Sequence, residues 1–162
     1  MADEIIVDMG KYEVATNPTV LVCMSLGSCV GVALYDSEKK IGGFAHVMLP
    51  KSDQYSVSGR SLNLNKFANI ALPGMIDKMK QEGSKLENIT AKIAGGAHMF
   101  PGVECDMMDI GKKNLDAVRE ELRKQGIRII ASDVGGNVGR TVRFDISEWK
   151  LTIKTKNEVK EI

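Results

Sequence analysis

The chain has 162 residues, 43% of them hydrophobic and 27% charged, and a formal net charge of +1. A chain of that length buries roughly 70% of the surface its unfolded form exposes, so one domain over residues 1–162 can stand without a disulfide or metal staple. Near-neutral charge and 5% aromatic residues give neither a polyanion-binding field nor a base-stacking surface, which argues against nucleic acid as a partner.

The first residues are acidic, lack a positive n-region and turn polar again at Asp8, so they read as neither signal peptide nor anchor. No apolar run approaches the roughly 18 residues of a membrane span, and a cytoplasmic protein is the expectation. Residues 5–7 and 12–14 read as short strands and 20–24 as a stronger one. Residues 30–35 and 41–49 flank the polar cluster 36–40 and read as a hairpin. The polar stretch 51–65 reads as a long exposed loop. Phe67, Ile70, Ala71, Met75, Ile76 and Met79 then recur at helical spacing, with Pro73-Gly74 expected to kink or restart the helix.

A buried strand follows at 89–94, an amphipathic helix at 114–124 with Leu115, Val118 and Leu122 inward, and a strand at 127–131. Residues 141–146 and 149–154 read as a second hairpin, and the charged tail 155–162 as frayed. Strands gathered around two main helices give an α+β domain. Gly95-Gly96 and the run Gly135 to Arg140 lack the spacing of a phosphate-binding loop and read as turns. Acidic residues are scattered with no His/Asp/Glu cluster at ligand spacing, so a metal site is not expected.

Cys23, Cys29 and Cys105 are an odd number with no metal-like pairing, and they read as free thiols. Cys29 sits in Leu26-Gly27-Ser28-Cys29-Val30-Gly31, where the flanking glycines leave room for a ligand or another backbone to approach. In one hairpin register Cys29 stands directly opposite His46 and Tyr35 opposite Lys40, with 36–39 as the loop. The thiol and imidazole would then share one face with Cβ atoms roughly 4.5–5.5 Å apart. The competing reading makes Cys29 a small buried hydrophobe and His46 a satisfied polar residue. His98 is the reserve base. Cys105, between Glu104 and Asp106, has neighbours that raise a thiol pKa and reads as structural.

Six blocks in one order resemble the CheD family of chemoreceptor glutamine deamidases. They are residues 26–30, residues 45–50, residues 92–97 with Met99-Phe100, Ile110-Gly111 with Asn114, Asp133 with Gly135-Gly136, and Gly139-Arg140. The resemblance implies a three-layer α/β/β sandwich like the catalytic domain of cytotoxic necrotizing factor toxins. It also implies a hydrolase acting as a protein-glutamine glutaminase, with Cys29 as nucleophile, His46 as acid/base partner and no cofactor. Cys23 falls at a third family position, commonly a threonine. Since a thiol is a poorer hydrogen-bond partner than a hydroxyl, Cys23 could substitute weakly, Ser25 could serve after a local shift, or a backbone carbonyl could orient the histidine. Gly27, Ser28, Met99 and Phe100 are the expected substrate-binding residues, with the loop 51–65 at the rim. The implied partners are chemoreceptor cytoplasmic helices and the phosphatase CheC. A binding module that engages receptor or CheC, with an incidental cysteine, is the alternative. A nearby imidazolium would make Cys29 the fastest thiol to alkylate.

Overall fold

Residues 30–36 and 41–47 are apolar along almost their whole length because the strands they form, β4 (Val30–Asp36) and β5 (Ile41–Val47), are covered on both faces. The computed structural model describes residues 2–52, 63–99 and 109–162. Five strands form a central sheet in the order β2 (Tyr12–Thr16), β5, β4, β6 (Ile89–Gly95), β7 (Arg128–Val134). A second, outer sheet runs β1 (Glu4–Ile6), β3 (Val20–Leu26), β8 (Arg140–Asp145), β9 (Lys150–Lys154), β10 (Val159–Glu161). Helices α1 (Ala68–Gln81) and α2 (Ile110–Lys124) complete the described elements.

The two-residue period of the strands sorts the core into two halves. Val30, Val32 and Leu34 of β4, with Ile41, Ala45 and Val47 of β5, pack against Leu72, Met75, Ile76 and Met79 of α1 and Leu115, Val118 and Leu122 of α2. The intervening Ala33, Tyr35 and Phe44 pack between the sheets against Leu21, Leu26, Val142 and Phe144. Helices, central sheet and outer sheet thus form three layers, the expected α/β/β arrangement. Each fully buried Leu, Ile or Phe contributes roughly 1.5–3 kcal/mol of burial free energy, so both halves of the core are substantial. β5 accommodates both neighbours through Gly42 and Gly43. A Cβ at Gly42 would stand 2.8 Å from Phe144, and one at Gly43 would stand 2.9 Å from Met75.

Four expectations change. The β4–β5 hairpin pairs Asp36 with Ile41 and Gly31 with His46, two positions away from the register that would set Cys29 against His46. The cause is Asp36, whose buried Oδ1 accepts the Glu38 and Lys39 amides at 2.9 and 3.0 Å while Oδ2 accepts the Lys85 amide at 3.0 Å. That carboxylate fixes the turn one residue later, with Lys40 in left-handed conformation at φ 56°. Helix α1 continues through Pro73 without a break. Helix α2 begins at Ile110, four residues earlier than the periodicity suggests. The tail is not frayed, because β10 pairs antiparallel with β9. Of the long loop, residues 53–62 lie outside the described residues, while Leu64–Lys66 form a 3-10 turn capped by the Asn63 side chain.

Candidate active site

Gly27, Ser28 and Cys29 carry the chain from β3 in the outer sheet to β4 in the central one. Before the crossing, β3 bulges between Cys23 and Leu26, and Ser25 in that bulge has φ 58°. Bulges of this kind re-aim the strand end. All three loop carbonyls then turn inward. Gly27 O accepts the Ala97 amide at 2.9 Å, Ser28 O accepts Asn114 Nδ2 at 2.9 Å, and Cys29 O accepts the Gly96 amide at 2.8 Å. The Ser28 and Cys29 amides donate to no backbone carbonyl of another described residue.

Cys29 is 9% exposed and His46 is 1% exposed. Gly31 is the direct partner of His46, which makes Cys29, two residues earlier on the same face, its diagonal neighbour. In strand geometry such neighbours have Cβ atoms roughly 7 Å apart, still within reach of a long side chain. The two residues therefore share the space between the sheets at one end of the inner core. Among the described residues neither ring nitrogen of His46 has a hydrogen-bond partner. That includes both the Cys29 and the Cys23 thiol.

Burial pushes the Cys29 thiol above its ordinary value, and its own amide N–H, directed at the sulfur, offsets part of that. Burial likewise pulls His46 below its ordinary value, against the Val7 carbonyl and the Asp8 carboxylate, which favour the charged ring. Both directions favour the neutral thiol and the neutral imidazole, opposite to the expectation of a cysteine acidified by a nearby imidazolium. Cys23, on β3 opposite Val142, is fully buried, and its thiol is pushed far above the usual range, first by desolvation and then by Cys29. It sits in the same core cluster as Cys29 but bonds neither nitrogen of the histidine. Of the three ways to orient His46, the Val7 carbonyl is the one with a resolved effect on the ring.

One cavity reaches His46 and another borders the nucleophile loop at Gly27. The first, about 410 Å³, is lined by Ile6, Val7, Met9, Met24, Ser25 and His46. The second, about 620 Å³, is bordered by Ser25, Gly27, Met99, Arg140, Lys154 and Lys156. Met99 is 41% exposed and covers Gly27, where a Cβ would meet its Cγ at 3.3 Å. Ile6, Met9 and Met24 are each more than half exposed, and with Asp8 and Ser25 they give the rim around His46 a mixed, largely apolar character. His98 donates its amide to Gly136 O and has its ring Nδ1 3.8 Å from Asp109. Phe100 and Cys105 lie outside the described residues.

The sequence reading gave Asn114 no role. Its side chain is fully buried, with Nδ2 also 3.0 Å from Met48 O, two residues beyond His46. The available signal is its position: Asn114 is a polar residue on the same helical stripe as Val118 and Leu122. Among the described residues, no group of three or more His, Cys, Asp or Glu gathers to hold a metal, and no helix is long and apolar enough to cross a membrane.

Comparison with known proteins gives one consistent result. The family model described as CheD chemotactic sensory transduction matches residues 48–155. A protein of Desulforamulus reducens named "Probable chemoreceptor glutamine deamidase CheD" is 46% identical over 94% of this chain and 90% of its own length. Proteins of the same name from Methanococcus maripaludis and Clostridium botulinum are 44% and 45% identical, covering 96% and 94% of this chain and 97% and 93% of theirs. Among solved structures, the hypothetical protein YfiH of Bacillus licheniformis superposes with a TM-score of 0.47 at 17% identity, over 75% of this chain and 49% of that one. Since the family model spans well over half of the chain, and relatives at this identity align along nearly their full length, the chain belongs to the CheD family.

Proposed function

We propose that this protein is a chemoreceptor glutamine deamidase, hydrolysing glutamine side chains of chemoreceptors to glutamate through a cysteine thioester. The observation that carries this reading is Cys29 and His46 on one face, with a cavity against the histidine, in a chain about 45% identical to proteins named for that activity. His46 accepts the thiol proton as Cys29 Sγ attacks the amide carbon. The C=O electron pair moves to oxygen, and the amides of the nucleophile loop face the charge that forms there. Collapse expels ammonia, which takes its proton from the imidazolium, and leaves the thioester. Water, deprotonated by neutral His46, adds to the thioester carbon. The thiolate departs, is reprotonated by the imidazolium, and glutamate is released.

The neutral resting pair suits this sequence, because proton and negative charge move only as the bond forms. The Val7 carbonyl near the ring favours its charged form, and Cys23 packs in the same core cluster as the nucleophile as a neutral thiol. A cytoplasmic receptor helix would lay apolar side chains on Met9, Met24 and Met99, and acidic ones toward Arg140, Lys154 and Lys156. A helix of the phosphatase CheC would compete for the same face. Cytoplasmic location follows from that substrate.

Cys29→Ala should abolish ammonia release from purified receptor fragments while the variant still binds them. Unchanged release would refute the enzyme reading and leave a module that only binds receptor or CheC. Comparing amide with methyl-ester substrates would reveal whether the same pair also cleaves esters.

A further inference from the structure

The carbonyls of Gly27, Ser28 and Cys29 are held by donors from behind the loop, and only one of those donors is a side chain. That side chain is Asn114. One amide group bonds the Ser28 carbonyl at 2.9 Å and the Met48 carbonyl at 3.0 Å, so it joins the nucleophile loop to the end of the strand that carries His46. Its reach depends on α2 lying close to the loop after β6. A Cβ at Gly111, one turn earlier, would come within 2.7 Å of the Gly96 carbonyl oxygen. Among the described residues the Oδ1 of Asn114 is buried without a hydrogen-bond partner, a cost offset by the two carbonyls its amide group satisfies. It is the donor end of this residue that the site uses.

We propose that Asn114 is a positioning residue for amide hydrolysis, fixing the Ser28–Cys29 peptide so that the Cys29 N–H faces the oxyanion formed on attack. The proposal rests on the deamidase reading above. A trans peptide is planar, with C=O and N–H on opposite sides, so a carbonyl pinned inward by Asn114 turns the Cys29 amide outward toward its own sulfur. A hydrogen bond at the carbonyl also polarises the peptide and strengthens its N–H as a donor. Losing an oxyanion donor altogether costs about 10²–10³ in kcat. Misaligning one costs less, roughly ten- to a hundredfold.

The test compares two reactions of the same sulfur in full-length wild type, Asn114→Ala and Asn114→Ser. Ammonia release from a receptor fragment passes through an oxyanion, whereas alkylation of Cys29 by iodoacetamide is a displacement at saturated carbon and forms none. The expected result for the alanine variant is a ten- to hundredfold fall in kcat, with KM and the alkylation rate within threefold of wild type. Serine can donate to one of the two carbonyls and should fall between. If the alanine variant does not fold, the serine variant alone carries the comparison. Proportional loss of both reactions, or an unchanged kcat, overturns the positioning role. A wild type that releases no ammonia overturns the deamidase reading and this proposal together, while an active wild type with an unchanged ratio overturns the proposal alone.

Discussion

Replacing Ser25 by glycine should make the protein more stable. Ser25 occupies left-handed backbone at φ 58° in the bulge that turns β3 into the nucleophile loop. For an L-residue that conformation costs roughly 1–2 kcal/mol, and a glycine there avoids it. Against this stands the larger entropy glycine loses on folding, roughly 0.5–1 kcal/mol. The exposed side chain has no hydrogen bond to another described residue whose loss would enter the balance. The difference favours Ser25→Gly by about 0.5–1 kcal/mol, which for a chain of this size raises Tm by roughly 1–4 °C. Ser25→Ala keeps the backbone penalty and should melt at or slightly below wild type. Thermal unfolding of the three proteins, followed by circular dichroism or calorimetry, provides the measurement. A glycine variant that melts no higher than the alanine variant would refute the reasoning, because strain at the bulge would then play no part in stability.

The pH dependence of kcat/KM should show a broad plateau. His46 works as a base from its neutral form, and its pKa is lowered from 6.5, so the acid limb lies below that value. Cys29 is raised from 9.0, which moves the alkaline limb above 9. An acid limb centred above 7 would contradict the neutral pair. Stability follows the same sign: the unfolded chain protonates His46 more readily, so the contribution of the neutral ring is full above about pH 6.5 and is lost as pH falls through the folded pKa. At pH 7 Cys29 should react with iodoacetamide more slowly than free cysteine, and Cys23 not at all until the protein unfolds. Mass mapping that finds Cys23 modified in the folded state would contradict its burial. Reversing the charge of Lys154 and Lys156 together should raise KM for receptor fragments roughly tenfold and flatten its salt dependence. An unchanged KM would remove the cavity they border from the binding face.

The architecture was legible wherever hydrophobic periodicity carried it. Strands β4, β5 and β6 and the packed face of α2 stand where the apolar pattern puts them, because coverage on both faces leaves a continuous apolar signature. Register was not legible. It was decided by three amides converging on the Asp36 carboxylate, one of them from Lys85, far along the chain. The parity of the pairing survived the shift of two, which is why Cys29 and His46 still share a face. The charged tail looked unstructured because its strand is an edge, where pairing with β9 and the Lys160–Asp133 ion pair at 2.8 Å supply what burial does not. The direction of the thiol and imidazole shifts was not legible either, because only the fold shows how deeply both groups are withdrawn from water. Asn114 escaped notice because its partners lie in two other elements.

Glycines at 42 and 43 leave β5 without side chains at two adjacent positions, one on each face of the strand that also carries His46. Each has its own counterpart: the volume Gly42 leaves is taken by Phe144 and Ile146 of the outer sheet side, and that of Gly43 by Met75 and Met79 of α1. The two sides of the strand are therefore independent ledgers of size. Across relatives, a larger residue at 42 should arrive together with a smaller one at 144 or 146 and leave 75 and 79 untouched, while a change at 43 should do the reverse. Sequence drift in the two halves of the core can thus proceed separately, with the histidine strand acting as the partition between them.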